Sequence, residues 1–418
     1  MAGSDAETSV TIVSQFFHPD TSANAGILTE LATGLAARGI DVDVITAQPS
    51  YTDEDRASTE PTTEKYEGVH VRRLPATRFD RNQGIAFRMA NEVSFFIVAF
   101  CYLLGRRVRG TETLLLPTSP TFLPILGWLL RPLGYQSVPV VMDLYPDMAV
   151  QLGFLSENSA AYQIWDWLNS RTYPSAARVV TIGETMKTTL REKYGDSCEI
   201  TVIHNWADGE FIKPQPKAEN PFVQEHGFLG ELTVLYSGNL GQHHDLESLL
   251  EAATVLETEK LPTHPHFVFI GEGGKKPKLE ATAAERELGT VSFLPYQPVD
   301  TLPDSLTSGD IAVVTMERGV EGLCVSSKFY TALASGSAVL AISSAEAEIG
   351  SVVERTGCGI RVDPNAPKQI ADAIRQWSQN PDEVAEMGNR ARKVFEEEFT
   401  KDHAISEYER LVRSLNSG

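Results

Sequence analysis

A chain of 418 residues with 42% hydrophobic content can bury large cores, and its length favours two domains over one. Its formal net charge of −20, from 56 acidic and 36 basic residues, argues against a general affinity for nucleic acid. The cysteines have neither C-x-x-C pairing nor metal-ligand spacing, so we expect reduced, packed thiols and no metal site. They are Cys101, Cys198, Cys324 and Cys358.

The beginning of the chain, MAGSDAETSV, is small, polar and acidic. It lacks the positively charged leader and apolar core of a secretory signal, so we expect a cytoplasmic protein. The acidic surplus accompanies a normal aliphatic content, which indicates a solvated acidic surface rather than a disordered acidic tail. Our hypothesis for this surplus is adaptation to a high-salt cytoplasm.

The first half of the chain alternates short apolar strands with helical patterns, which predicts a parallel sheet with crossover helices. Amphipathic stretches such as ILTELATGLAARG follow most of these strands. The predicted strands are VTIVSQF, DVDVITA, TLLLPTS, VPVVMDL and RVVTIG.

A basic segment interrupts this acidic chain between Arg72 and Arg109, where eight arginines face only Asp80 and Glu92. Inside it, the uncharged run Val93–Leu104 is shorter than the roughly 20 residues that span a bilayer. An apolar helix flanked by arginines suits contact with a membrane surface, although a buried core helix is the alternative. The residues predicted to touch the membrane are Phe95, Phe96, Arg106, Arg107 and Arg109.

The second half repeats the strand and helix alternation after a polar, proline-containing connector. A domain boundary near residue 206 follows, with an N-terminal domain 1–205 and a C-terminal domain 206–418. The sequence leaves open whether the charged helices from about residue 381 pack back on the N-terminal domain. The predicted strands are LTVLYSG, HFVFIGEG, VSFLPY, DIAVVTM and AVLAIS.

Two α/β domains of this Rossmann-like, doubly wound type have parallel sheets whose carboxyl ends bind ligands and would face one another across a cleft. That architecture suits an enzyme that joins two substrates. The candidate cleft residues lie just past the strand ends. They are Ala25 with Gly26, Asp143, Gly238 with Asn239, Gly271 to Gly274, and the loop from Glu317 to Lys328.

Asp143 ends the apolar strand VPVVMD, where an unpaired carboxylate is costly unless it faces a cleft or a partner. We predict that it orients or deprotonates an acceptor hydroxyl, or stabilises positive charge at the reacting carbon. His18, in the loop after the first strand, is a second candidate on the same side.

The stretch VLYSGNLGQHHDLESLLEAA has the strand, glycine turn and helix of a phosphate cradle, but its turn carries no Lys or Arg. His243 and His244 stand there instead. A bound anion would therefore need a cation from elsewhere in the chain, or protonated histidines.

Eight segments together resemble glycosyltransferase family 4 in order and spacing. Within that family the chain is most similar to enzymes of surface-polysaccharide and lipid-linked oligosaccharide assembly, including colanic acid and N-acetylfucosamine transferases. The resemblance implies a GT-B fold, an N-terminal acceptor domain, a C-terminal nucleotide-sugar domain, retention of anomeric configuration and no metal requirement. The segments are FFHPDTSANAG, LATGLAARGIDVDVITAQPSY, VHVRRLP, VVMDLYPD, VIHNWAD, YSGNLG, FIGEGG and SSKFYTALASG.

The resemblance also assigns the donor side, and it suggests the missing cation. Many family members carry a basic residue just after the glycine turn, where this chain has Gln242, His243 and His244. We predict that Lys328, at the start of an apparent helix, binds the donor diphosphate instead; a solvated lysine is the alternative. The other predicted donor residues are Gly238, Asn239, Gly271, Gly273, Ser327 and Thr331.

Many family members carry two glutamates separated by seven residues, and both are absent here. Leu323 and Thr331 occupy their positions. Glu321, two residues before Leu323, is the predicted contact to the donor sugar, with an ordinary surface glutamate as the alternative.

The sequence therefore predicts a retaining transferase that moves a sugar from a nucleotide diphosphate, such as UDP, to a lipid-linked or nascent glycan. It would act as a peripheral protein at the cytoplasmic face of the membrane, without a cofactor. Two alternatives remain open: a nucleotide-sugar epimerase of similar fold, and a non-catalytic membrane-bound partner of another transferase.

Overall fold

The structure, a computed structural model, describes residues 8–106, 112–241 and 244–417. The chain forms two compact units: unit 1 is Met1–His204 with Asp402–Gly418, and unit 2 is Asn205–Lys401. The division after His204 lies next to the boundary expected near residue 206. Each unit has its own sheet and its own hydrophobic core.

Unit 1 is built on an eight-stranded sheet. Its strands are β1 Ser9–Val13, β2 Asp41–Ala47, β3 Thr63–Tyr66, β4 Val69–Leu74, β5 Glu112–Pro117, β6 Tyr135–Val141, β7 Val179–Thr181 and β8 Ile200–Val202. Their order is β3-β4-β2-β1-β5-β6-β7-β8, with β3 antiparallel to β4 and the other pairs parallel. All five predicted strands are present, whereas β3, β4 and β8 were not predicted.

The helices of unit 1 follow the strands as crossover connections of a doubly wound sheet. They are α1 Ala23–Ala37, α2 Asp53–Ala57, α3 Ile85–Gly105, α4 Ile125–Leu130, α5 Asp147–Gln151, α6 Ala160–Ser175 and α7 Glu184–Tyr194.

Helix α3 contains the apolar run that the sequence singled out. With 21 residues it is, by length and composition, long enough to cross a membrane. One of its faces, with Phe95, Ala99 and Leu103, is fully buried in the core against strands of the sheet. The prediction that Phe95 contacts a membrane is therefore wrong, because its ring packs inside the protein.

Unit 2 has a six-stranded, entirely parallel sheet in the described chain. Its strands are β9 Leu232–Ser237, β10 Pro265–Ile270, β11 Val291–Leu294, β12 Ile311–Thr315, β13 Ala338–Ile342 and β14 Gly359–Val362. Their order is β11-β10-β9-β12-β13-β14. The five predicted strands are present and β14 was missed, so the predicted pair of doubly wound α/β domains is confirmed.

The helices of unit 2 are α8 Pro221–His226, α9 Leu246–Leu256, α10 Lys276–Glu285, α11 Leu302–Leu306, α12 Lys328–Ala334, α13 Glu348–Thr356, α14 Pro367–Gln379 and α15 Pro381–Glu398. Helix α15 packs against α12 and β13, where Gly388 lies against the carbonyl oxygen of Gly336. The last helix, α16 Lys401–Asn416, belongs to unit 1 from Asp402 onward, where Ile405 packs on Gly34 of α1. Of the terminal helices, α16 is therefore the one that belongs to the N-terminal unit.

Candidate active site

An open pocket of about 330 Å³ lies at the carboxyl ends of β1, β2, β5 and β6 in unit 1. This is the edge at which doubly wound sheets bind ligands, and ligand pockets commonly measure about 300–1,000 Å³. Aromatic rings and carboxylates share its wall. The residues that line it include Phe16, Ser22, Tyr51, Glu92, Asp143 and Tyr145.

Asp143 lines this pocket as predicted for a residue just past β6. Its backbone N–H donates to the hydroxyl of Thr118 at 3.3 Å, while its carboxylate makes no hydrogen bond or ion pair with the described residues. Burial raises the pKa of this carboxyl to about 6. Near neutral pH the group is thus a carboxylate that can still accept a proton.

Asp20, which the sequence did not single out, shapes the same pocket. Its buried carboxylate accepts the backbone N–H groups of Ser50 and Tyr51 at 2.8 and 3.0 Å, and burial raises its pKa to about 6. These contacts hold the loop after β2, which carries the Tyr51 ring into edge contact with Phe16 at 5.5 Å. Asp20 therefore supports a pocket wall.

The predicted acceptor-side residues are adjacent to the pocket rather than in it. Ala25 is fully buried in α1 and cannot offer its side chain to a ligand, so that prediction is wrong. Gly26 is exposed, and a side chain there would meet no other atom. The pocket is lined instead by the preceding Ser22, whose hydroxyl caps α1.

His18 does not reach Asp143's pocket either. Its ring stacks on Tyr66 of the edge strand β3, with centroids 4.1 Å apart. Its backbone is fixed by Thr29 and by Arg73. The structure thus separates His18 from Asp143, with which the sequence had grouped it.

In unit 2, the predicted glycine residues bring two loops together. Gly238 follows β9 with a φ of 137°, a conformation that favours glycine. A side-chain carbon on Gly271 would lie 2.0 Å from the carbonyl oxygen of Gly238, and one on Gly273 would lie 2.4 Å from that of Leu240. Gly271 and Gly273 are therefore required for the packing of the two loops, irrespective of any ligand.

Lys328 lies beside this glycine turn. Its side chain is largely buried, and its ammonium stands 3.2 Å from Nε2 of His244 and 5.6 Å from the ring centre of Tyr236. In the described residues no carboxylate pairs with it, and burial lowers its pKa to about 8. A buried ammonium without a counter-ion is costly, so this site favours an anionic ligand.

The helix after the glycine turn does not offer a free end to an anion. The carboxylate of Asp245 caps α9 by accepting the N–H of Ser248 at 3.1 Å, and it also accepts the N–H of Asn365. In the first turn, Glu247 pairs with Lys275. The expected phosphate cradle at α9 is thus occupied by the protein's own carboxylates. Among the described residues at this turn, Lys328 is a cation that no carboxylate pairs.

The other predicted donor residues lie around Lys328. Ser327 is exposed and makes no capping hydrogen bond to α12, a helix of 7 residues. Thr331 is one turn further along α12 and donates its hydroxyl hydrogen to the carbonyl of Lys328 at 3.0 Å. The carbonyl of Asn239 accepts the hydroxyl of Tyr236 at 2.7 Å.

Glu321 has a local partner. Its carboxylate accepts the backbone N–H of Gly319 at 2.5 Å, which closes a turn within its own loop. This contact is compatible with the alternative that Glu321 is a structural surface glutamate. Its predicted role toward the donor sugar stays a prediction.

Exposed apolar side chains on α3, α4, α6 and the loops beside them are here called the apolar face. Helix α4 contacts both α3 and α6, and the rings of Trp128 and Trp167 meet edge-on at 6.1 Å. Large exposed apolar patches mark contact surfaces. Its residues are Ile85, Phe87, Met89, Val93, Ile97, Leu104, Leu129, Leu133, Phe154, Ile164 and Trp167.

The predicted basic flank of this surface is only partly described. Arg106 pairs with Asp43 at 2.7 Å and with Glu112 at 3.3 Å, so its guanidinium already binds two carboxylates of the sheet. Arg107 and Arg109 lie outside the described residues. Phe96 is half-buried and contacts Phe122 edge-on at 5.5 Å. The exposed apolar side chains therefore extend well beyond the predicted set.

Two protein families match the chain, one over each half. The Glycosyl transferase 4-like domain matches residues 26–206. The family Glycosyl transferases group 1 matches residues 219–394. Unit 2 begins at Asn205, next to the end of the first match.

Among curated proteins, the chain is 29% identical to glycosyltransferase WbjE of Pseudomonas aeruginosa over 341 residues, which is 81% of this chain and 83% of WbjE. It is 25% identical to the colanic acid biosynthesis glycosyl transferase WcaI of Escherichia coli K12 over 420 residues, which is 95% of this chain and 98% of WcaI. Both similarities extend across the two units.

Solved structures share the fold. Sucrose-phosphate synthase from Thermosynechococcus elongatus superposes with a TM-score of 0.76 and 17% identity, over 98% of this chain and 99% of the synthase. HepE of Anabaena, crystallised with UDP and glucose, superposes with a TM-score of 0.70 and 14% identity, over 97% of this chain and 100% of HepE. At such identities the likeness shows the architecture alone.

Proposed function

We propose that this chain, a glycosyltransferase of family 4 with the GT-B fold, transfers a sugar from UDP to a lipid-linked or nascent glycan with retention of configuration. The observation that carries the proposal is the buried ammonium of Lys328 beside the glycine turn of unit 2, which no carboxylate of the described residues pairs. A nucleoside diphosphate is the anion that a glycosyltransferase must bind and release. HepE, whose fold this chain shares, was crystallised with UDP and glucose.

Lys328 would act on the leaving group. As the bond between the anomeric carbon and the β-phosphate oxygen breaks, UDP takes the electron pair and gains negative charge. An ammonium already held at that phosphate binds the transition state more tightly than the ground state. Lys328 therefore contributes to turnover as well as to donor affinity.

The pocket of unit 1 would hold the acceptor. The rings of Phe16, Tyr51 and Tyr145 offer apolar surface to a sugar, and the carboxylates of Glu92 and Asp143 accept hydrogen bonds from its hydroxyl groups. The acceptor oxygen forms the new bond to the anomeric carbon and loses its proton. Asp143 would orient or deprotonate this hydroxyl, or stabilise the positive charge at the anomeric carbon.

The apolar face would bring the enzyme to its acceptor. Trp167 and the exposed residues of α3 suit the interface of a bilayer, and Arg171, whose guanidinium lies 5.6 Å from the ring centre of Trp167, suits lipid phosphates. Because one face of α3 is buried against the sheet, this helix is better suited to dock on the membrane surface than to span the membrane. This supports a peripheral enzyme, which would act at the cytoplasmic face of the membrane.

Purified protein incubated with UDP-sugars and with vesicles that contain a polyprenyl-linked glycan tests the proposal. The donors are first selected by thermal shift, because a ligand that binds the folded state raises its melting temperature. We expect mass spectrometry to find an acceptor enlarged by one sugar. Interconversion of UDP-sugars without an acceptor would identify an epimerase instead, and the absence of any donor binding or turnover would favour a non-catalytic partner.

A further inference from the structure

Residue His244 shares the surroundings of Lys328, although the two lie 84 positions apart. Its Nδ1 is 2.9 Å from the carbonyl oxygen of Thr315, at the end of β12. A carbonyl oxygen only accepts, so Nδ1 carries the hydrogen, and Nε2 of the neutral ring presents its lone pair to the ammonium of Lys328. The imidazole thus accepts one of the three ammonium hydrogens.

The position of this ring is fixed from several sides. The ammonium of Lys275 donates to the backbone carbonyl of His244 at 2.7 Å and also binds Glu247 and Glu317. The next residue, Asp245, donates its N–H to the hydroxyl of Thr315 at 3.0 Å. Lys275 and β12 therefore place the imidazole before any ligand arrives.

We propose that His244 is a positioning residue for the donor diphosphate, because it directs the ammonium of Lys328 at the glycine turn without cancelling its charge. An aspartate or glutamate in its place would also orient the lysine. However, it would pair with the cation and repel the diphosphate. A neutral imidazole offers Lys328 a hydrogen-bond acceptor without adding a negative charge.

The groups facing Lys328 are consistent with a site in which Lys328 supplies the charge and His244 orients it. They include the imidazole of His244, the ring of Tyr236 and the backbone of Gly238. The hydroxyl of Tyr236 donates to the carbonyl of Asn239, and burial raises its pKa far above the neutral range. In this part of the described chain Lys328 is the cation that remains for the ligand, since Lys275 is already paired with carboxylates.

Three substitutions separate this role from a structural one. His244→Gln keeps an amide hydrogen for Thr315 and an oxygen for Lys328, so UDP affinity should stay within about twofold of the wild type. His244→Leu removes the acceptor and should lower UDP affinity about fivefold to tenfold, the value of about one hydrogen bond. His244→Glu keeps an acceptor but adds a negative charge, and it should weaken UDP at least as much as His244→Leu.

Calorimetry with UDP and with uridine distinguishes the outcomes. Uridine lacks the diphosphate, so its affinity should be equal in all three variants, whereas a merely structural role would weaken uridine and UDP alike. Equal UDP affinity in His244→Leu and the wild type would overturn the inference, as would tighter binding in His244→Glu.

This inference rests on the proposed donor site, and Lys328→Met tells the two apart. If Lys328→Met leaves UDP affinity unchanged, the donor site itself is wrong. If Lys328→Met weakens UDP but His244→Leu does not, the donor site stands and the positioning role of His244 fails.

Discussion

Gly238 and Lys328 are in direct contact, and glycine is required for that contact. A side-chain carbon on Gly238 would lie 2.3 Å from Cε of Lys328. The lysine stem therefore crosses the space that a side chain at the turn would fill, and this brings its ammonium next to the turn's backbone. The space needed by the Lys328 side chain therefore explains a glycine at this position as well as the close approach of a phosphate does.

Gly238→Ala should displace Lys328 and weaken UDP binding by about tenfold or more, because the added methyl group and the methylene chain of Lys328 cannot occupy the same space. An alanine held at the φ of 137° that Gly238 adopts should also lower the stability of the protein. Calorimetric titration of UDP measures the first effect.

Gly227→Ala is the matched control for this substitution. Gly227 also has a positive φ, of 76°, but a side chain there would meet no other atom. This variant should lose stability and keep UDP affinity. Equal UDP affinity in both variants would contradict the account of the contact.

Lys328→Met should make the ligand-free protein more stable at pH 7. Burial lowers the pKa of Lys328 from its ordinary value of 10.5 to about 8, so the folded state holds this proton less tightly than the unfolded state. The charged lysine thus costs stability in full below about pH 8, and the cost disappears as pH rises toward 10.5. A shift of this size corresponds to at most on the order of 3 kcal/mol.

Differential scanning calorimetry from pH 7 to 10 measures this gain, which should decline with rising pH. Lys275→Met is the control, because the buried ammonium of Lys275 is paired with Glu247 and Glu317 and its removal should destabilise the protein. A loss of stability in Lys328→Met equal to that in Lys275→Met would show that Lys328 is not an uncompensated cation.

Asp143→Asn should preserve donor binding and reduce transfer, because the amide keeps the shape of the carboxylate without its charge. In the wild type, transfer should rise as pH increases through about 6, the raised pKa of this carboxyl, and that limb should vanish in the variant. Rates measured at saturating donor between pH 5 and 8, a range that brackets this pKa, provide the test.

The stability of Asp143→Asn identifies a structural alternative. Because burial raises the pKa of Asp143 above its ordinary value of 3.8, the charged form costs stability above about pH 6, and the variant should melt no lower than the wild type at pH 7. A parallel loss of stability and activity would instead indicate a structural carboxylate. Asp41→Asn, at the exposed start of β2, is the control.

Replacing Ile97 and Trp167 with glutamine should reduce sedimentation with anionic vesicles, because about half of each side chain is exposed on the apolar face. Val255→Gln with Val299→Gln is the control, since these residues are 48% and 75% exposed but lie in unit 2. Equal sedimentation of both double variants would refute membrane docking through this face.

The acidic surplus predicts a dependence on salt. With a net charge of −20, self-repulsion in dilute buffer should be relieved by added salt. We expect more transfer activity in molar potassium chloride than in dilute buffer. The reverse order would reject adaptation to a high-salt cytoplasm.

The strands at the centre of each sheet could be predicted because they are buried on both faces and read as continuous apolar runs. Strand β4 was missed because exposed His70 and Arg72 alternate with buried valines, a pattern of strands with one solvated face. The short strands β8 and β14 carry too few residues for a clear pattern. Helix α3 is longer than the uncharged run inside it, because Arg88 and Glu92 occupy helical turns that the run excluded.

For the site, the sequence supplied residues that stand just past strand ends or within family motifs, such as Asp143 and Lys328. It could not supply Glu92, which enters the pocket from a helix, nor Tyr51, which reaches it from a loop held by Asp20. The contact between His244 and Lys328 also depends on the fold, because nothing in the local pattern of either residue indicates the other. Such pairings arise from tertiary structure alone.

Calorimetric titration of UDP into the wild type and Lys328→Met, from pH 7 to 9.5, tests the central claim most directly. At pH 7 the variant should bind UDP about one to two orders of magnitude more weakly, the value of a charge-assisted contact of roughly 1.5–3 kcal/mol. Wild-type affinity should fall as pH rises past about 8, where free Lys328 loses its proton, and the variant should lack this decline. A variant that binds UDP as tightly as the wild type at pH 7 would contradict the account.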